Sequence, residues 1–171
     1  MAEREWGEGR HTTNFSLINL GTGMRVINVI DGKVQRGARG MAGEIGFIDI
    51  DDKFTDTTQH FDSLVAGKGL NHLSKLLNSE DIDAEEIFKR GTPNLLAIFT
   101  HYIVELLLQT TYFYNPETVV FTGSLAKAEN KWLPKVVAEF DRKLYPKLIR
   151  PDRVVVSKVE DSASFGALLL D

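Results

Sequence analysis

The sequence has no cysteine among its 171 residues, so disulfides and thiolate-held zinc are excluded at the outset. It also lacks a basic excess: 20 Lys and Arg stand against 24 Asp and Glu, a formal charge of −4. A phosphate backbone is held by a concentrated cationic face, so direct contact with nucleic acid is not expected of this chain. Long apolar runs are scarce as well. The most apolar stretch, 95–108, is interrupted by Thr100, His101 and Glu105 and reads as too short for a bilayer. The opening MAEREWGEGRH is charged and has none of the apolar core of a signal peptide. These absences point to a cytoplasmic protein with no membrane partner. No repeat, low-complexity tract or linker divides the chain, so residues 1–171 are expected to form a single domain.

What is present reads as α/β. Segments 14–20 (NFSLINL) and 24–30 (MRVINVI) are β-type runs joined by Gly21-Thr22-Gly23, a tight hairpin turn. Asp31-Gly32-Lys33 makes a second turn into 34–36, giving a three-strand meander. A glycine-studded loop, 37–46 (GARGMAGEIG), and a short apolar run, 47–50, follow. Residues 61–77 show helical periodicity, disturbed at Gly67 and Gly69. Asp83 with Glu86 forms a capping box for a short helix through Lys89. The clearest helix has Thr92 as N-cap and Pro93 in its first turn, and ends before Asn115-Pro116. Its polar stripe is His101, Glu105 and Gln109; Leu95, Phe99, Tyr102, Leu106 and Phe113 are expected on the buried side. Segment 118–122 (TVVFT) is apolar on both faces, as a covered parallel strand is. A helix over 132–148, a strand over 154–157 and a last helix from Ser162 complete the order.

Gly21-Thr22-Gly23, Asp31-Gly32-Lys33, Arg36-Gly37-Ala38-Arg39-Gly40 and Ala42-Gly43-Glu44-Ile45-Gly46, in that order, resemble the ROK family of sugar kinases and sugar-responsive repressors. The likeness continues at Val119-Val120-Phe121-Thr122-Gly123-Ser124 and Ala163-Ser164-Phe165-Gly166-Ala167. It covers nearly the whole chain. The resemblance implies an actin-like ATPase fold of two ribonuclease-H-like lobes, of which this is the C-terminal one. The Asp motif carrying the family's catalytic base would lie just ahead of Ala2, with the N-terminal lobe and any DNA-binding helix-turn-helix. No catalytic residue is therefore assigned within the chain.

Each candidate site residue also has a plain structural reading. Gly21, Thr22 and Gly23 offer backbone N–H groups and a hydroxyl to a nucleotide phosphate, or form a hairpin turn and nothing more. The family's kinases usually continue with further glycines. Here Met24 and Arg25 follow and are expected to narrow the phosphate channel, unless Arg25 instead offers it charge. Gly123 and Ser124 stand where the family binds adenosine, although any parallel crossover uses such a turn. Glu44 can accept two sugar hydroxyls between backbone made approachable by Gly40 and Gly43, or can cap the turn. The resemblance places a sugar-gripping His where this chain has Phe47, which is read as packing. It also implies a cysteine-rich zinc loop over 51–60, but the chain has no cysteine and His60 and His72 are not at ligand spacing, so no zinc is expected. Asp49, Asp51 and Asp52 lack the spacing and terminal Glu of a calcium loop and read as a solvated turn. His101 and Glu105 read as rim residues.

Three departures therefore favour a regulator over a kinase: the Met24-Arg25 continuation, Phe47 and the missing zinc loop. A kinase must place two reactants, whereas a regulator needs only differential binding between two states. The favoured expectation is the effector-binding and dimerising lobe of a repressor, with a sugar or sugar phosphate as ligand and a homodimer formed through the long helix. DNA would be reached only through a domain outside this chain. The alternative is the C-terminal lobe of a glucokinase-like sugar kinase, which would bring ATP and magnesium. A third reading is a degenerate lobe kept for assembly.

Overall fold

The computed structural model describes residues 2–159. Strands β1 (Phe15–Leu20), β2 (Met24–Ile30) and β3 (Lys33–Val34) form the expected meander, after a four-residue helix α1 (Ala2–Glu5) that the sequence reading did not anticipate. The third strand is only two residues long, and past it the Gln35 N–H still bonds to the Asn28 carbonyl of β2 at 2.8 Å. β6 (Thr118–Thr122) then pairs parallel to β1, and β7 (Arg153–Val156) parallel to β6. The sheet order is β3-β2-β1-β6-β7. Burial on both faces explains why β6 has no polar alternation: Thr118, Val119, Val120 and Phe121 are all buried.

One face of the sheet, carrying Ile18, Leu20, Met24, Val26, Val119 and Phe121, packs into the main core. Across it lie α2 (Asp62–Val65), α3 (Gly67–Asn78), α4 (Ala84–Arg90), α5 (Pro93–Tyr114) and α6 (Glu129–Lys143). The expected helix over 61–77 is thus two helices, broken where Ala66 turns extended. Asp83 caps α4 by accepting the Glu86 N–H at 2.9 Å, as its spacing with Glu86 predicted. Thr92, by contrast, makes no side-chain cap bond, and α5 begins on the fixed φ of Pro93 alone. The helix expected over 132–148 starts earlier, at Glu129, and ends at Lys143. Trp132 anchors it: the indole is fully buried against Phe99 and Phe121 and donates to the Leu125 carbonyl at 3.2 Å. Fully burying one such side chain stabilises the fold by ~2–3 kcal/mol.

Three expectations about α5 need correction. Its 22 residues are long and apolar enough to cross a membrane, so length does not argue against a span. What does is burial, because residues on nearly all sides, Ile103, Val104 and Leu107 among them, are inside the core. The apolar circumference thought to serve a dimer is covered by the chain itself. Phe113, expected on the buried side, is 77% exposed in the last turn of the helix. The last helix expected from Ser162, and the motif from Ala163 to Ala167, lie outside the described residues.

Segment 49–60, expected as a solvated turn after an apolar run, is a hairpin of β4 (Asp49–Asp52) and β5 (Thr57–His60) separate from the main sheet. Asp52 is its centre and is only 2% exposed. Its carboxylate accepts from Phe54 N–H at 3.1 Å, Thr55 Oγ1 at 2.5 Å and Tyr102 OH of α5 at 2.7 Å. Local polar spacing carries no sign of this, since Tyr102 lies 50 residues away.

Candidate functional site

Parallel strands end together, and ligands of open α/β sheets gather where they end. β1 delivers Gly21 and Thr22 to that edge, and β6 delivers Gly123 and Ser124. Gly21, Thr22 and Ser124 line one cleft of about 910 Å³, closed by Gly67 and Lys68 of α3 and by α4. Four lysines (Lys68, Lys89, Lys127 and Lys131) face it against two carboxylates, Asp83 and Glu85. The turn is braced from below: Gly21 N–H bonds to the Gly23 carbonyl at 3.0 Å, and Gly67 N–H to the Gly21 carbonyl at 2.9 Å. Thr22 and Ser124 are exposed. Gly123 is a structural requirement, with φ of +96° and a hypothetical Cβ 2.3 Å from the Leu20 carbonyl oxygen.

The expected narrowing by Met24 and Arg25 does not occur. Met24 pairs with Leu20 across the hairpin and is buried in the core. Arg25 points the other way, to the loop at 37–46. Its Nη2 donates to the Gly40 carbonyl at 2.9 Å, and its Nε lies 3.2 Å from Glu44 Oε1. One of the three departures that favoured a regulator thus loses its physical basis.

The second group of predicted residues lies on that loop, away from the lysine-lined cleft. Val26 N–H donates to the Gly43 carbonyl at 3.0 Å, fixing the loop to the edge of β2 that β3 leaves free. Gly43 has φ of +83°, and a Cβ there would sit 1.6 Å from the Val26 carbonyl oxygen. Its glycine therefore serves the backbone contact with β2. Gly40 is exposed and its carbonyl is used by Arg25. Glu44 is half-buried, with one oxygen on Arg25 and no hydrogen bond capping its own turn.

Three more residues stand near the end of this loop: Phe47, three positions on from Glu44, and Asp62 and His60, which its local sequence does not announce. Asp62, at the start of α2, accepts the Met24 N–H. Burial first, and then the Glu44 charge nearby, push its carboxyl above the usual Asp value. Phe47, expected as packing, is 66% exposed and meets the His60 ring edge-on at 6.3 Å. His60 Nδ1 sits 3.2 Å from both the Phe47 carbonyl and Asp49. The only sequence signal for Asp62 was its place at a helix start. His101, at the rim as expected, packs against Phe54 and Tyr102.

The family model for ROK proteins matches residues 1–170. The chain belongs to the ROK family. Among characterised relatives it is 24% identical to the xylose repressor of Bacillus spizizenii over 155 residues, which is 85% of this chain and 40% of the repressor. A ROK hexokinase from Thermus thermophilus superposes with a TM-score of 0.77 at 21% identity, over 95% of this chain and 58% of the hexokinase. A ROK transcriptional regulator homologous to the E. coli MLC protein gives 0.80 at 20%, over 97% and 47%. The expected actin-like α/β fold holds. This ROK chain spans about half the length of the curated relatives it matches. Repressors and kinases both stand among its relatives.

Proposed function

We propose that this ROK chain is the sugar-effector-binding and dimerising lobe of a transcriptional regulator. One observation carries the reading: Glu44, 3.2 Å from Arg25, lies near enough to Asp62 for its charge to raise that carboxyl's pKa, and Phe47, three residues on, is exposed. Paired carboxylates accept neighbouring hydroxyls, and an exposed aromatic face suits the C–H side of a sugar ring. Such a wall holds a polyol and needs no group to move a proton. Related proteins are xylose repressors, a glucokinase crystallised with glucose and a ROK protein crystallised with sucrose. These sugars form the panel for the test, which is calorimetric titration into the intact protein. No heat from any of them would remove the reading.

The dimer in this proposal rests on the C-terminal end of α5 and the turn after α6. Exposed Tyr112 and Tyr145 are joined there by the Tyr112 hydroxyl, which donates to the Tyr145 carbonyl at 3.1 Å, with exposed Phe113 next in the chain. A monomeric mass by light scattering at micromolar concentration would overturn it. With a charge of −4, the lobe would leave operator DNA to another part of the regulator.

A sugar kinase is the second reading, and the lysine-lined cleft favours it. Gly21, Thr22 and Ser124 with Lys68, Lys127 and Lys131 fit the phosphates of a nucleoside triphosphate in size and charge, and Gly123 forms the turn beside them. Bound there, ATP would supply the phosphoryl group, and the chain's own groups would hold its phosphates. Hexose-dependent ATP turnover by the intact protein would decide for the kinase.

A further inference from the structure

The hairpin β4–β5 leaves the chain just after Phe47 and returns just before Asp62, so it hangs between two parts of the Glu44 wall. It shares no strand pairing with the main sheet. At its base, Phe61 N–H bonds to the Ile48 carbonyl at 2.9 Å, and His60 contacts Phe47. Its other end is fixed by the Asp52 carboxylate on the Tyr102 hydroxyl of α5, and by Phe54 lying edge-on to Tyr102 and His101. α5 is the central helix of the core and cannot shift without repacking it. From this juxtaposition we infer that Asp52 is a positioning residue: it clamps the hairpin to α5 and thereby holds Phe47, His60 and Asp62 in register with Glu44.

The carboxylate is suited to the task. Burial alone would raise its pKa, yet the donors from Thr55, Tyr102 and the backbone outweigh burial and hold it below the usual Asp value. It is therefore a charged acceptor at neutral pH, and hydrogen bonds to charged acceptors are the stronger kind. Gln59 Nε2 adds a weaker contact at 3.4 Å and ties β5 to the same point. Without the clamp, the hairpin keeps its base contacts and the packing of Ile50 and Phe54 but loses its charged anchor on α5, and a wall displaced by a fraction of an ångström loses hydrogen bonds to a sugar.

The role rests on the sugar reading above, and its test separates the two. Asp52→Asn, Tyr102→Phe and the double variant are compared with the wild type, all well below their melting temperatures. Amide hydrogen exchange is expected to quicken across 49–60 while β1 and β2 keep their protection. Affinity for xylose or glucose, whichever the wild type binds, is expected to weaken about tenfold. The double variant should be no worse than the weaker single one, because the Tyr102 contact that Tyr102→Phe removes is among those that Asp52→Asn disrupts. Unchanged exchange in the hairpin would overturn the clamp. Faster exchange with unchanged affinity would overturn the positioning role. A wild type that binds no sugar would overturn the sugar reading and the positioning role with it, while exchange still decides the clamp. Should Asp52→Asn fail to fold, Tyr102→Phe removes only the hydroxyl and carries the same comparison.

Discussion

Two glycine-rich turns lie at one end of this lobe, and they are built in opposite ways. Gly21 and Thr22 sit at the mouth of a lysine-lined cleft, and a Cβ added at Gly21 would meet only the Gly23 carbonyl oxygen, 3.9 Å away. Gly43 is pressed onto β2 with its Cβ direction blocked, and the loop it anchors presents Glu44, with Asp62 of α2 nearby and the exposed Phe47 ring next in the chain. One turn offers backbone and positive charge; the other uses its backbone internally and offers acidic side chains. Similar sequence signatures can thus serve ligand approach in one place and packing in the other, and the space around the missing Cβ tells them apart.

The comparison breaks most sharply on stability. Gly43→Ala combines a left-handed φ with a blocked Cβ and is expected to cost roughly 3 kcal/mol or more. Gly21→Ala has neither penalty and should change stability by less than about 1 kcal/mol. Urea denaturation of both checks this; equal effects would mean that the two turns are built alike.

Next in size is the acidic wall. Glu44→Ala is expected to weaken sugar binding by about one to two decades, since a charged acceptor is lost. Glu44→Gln, which keeps the shape and one acceptor, should lose less. Calorimetry with melting temperature as folding control measures both, and equal affinity in all three proteins would leave Glu44 as a partner of Arg25 alone.

The basic cleft should respond to a different change. Lys127→Ala with Lys131→Ala is expected to weaken binding of ATP or inorganic phosphate by roughly tenfold, with sugar affinity unmoved. A matching loss of sugar affinity would show that the two regions act as one. The smallest expected effect is that of salt. Raising ionic strength should weaken anion binding several-fold by screening the exposed lysines, while binding of a neutral sugar stays level. A salt-dependent sugar affinity would erase the distinction in charge between the regions.

Much of this was legible in the linear chain because it rests on local chemistry. The hairpin at Gly21-Thr22-Gly23, the Asp83 cap, Pro93 opening α5 and the unbroken apolar run of β6 each depend on neighbours within a few residues. The ordered glycine motifs likewise placed the chain in its family. Tertiary structure alone decided what depends on partners far apart in sequence. It turned Arg25 from a plug in the phosphate channel into a tether for Glu44, and made a solvated turn into a hairpin pinned by Asp52 on Tyr102. It also exposed Phe47 and buried the flanks of α5. Periodicity shows that a helix has apolar residues but not how many of its sides find cover, and side-chain type shows what a residue can bond but not which distant group the fold brings to it.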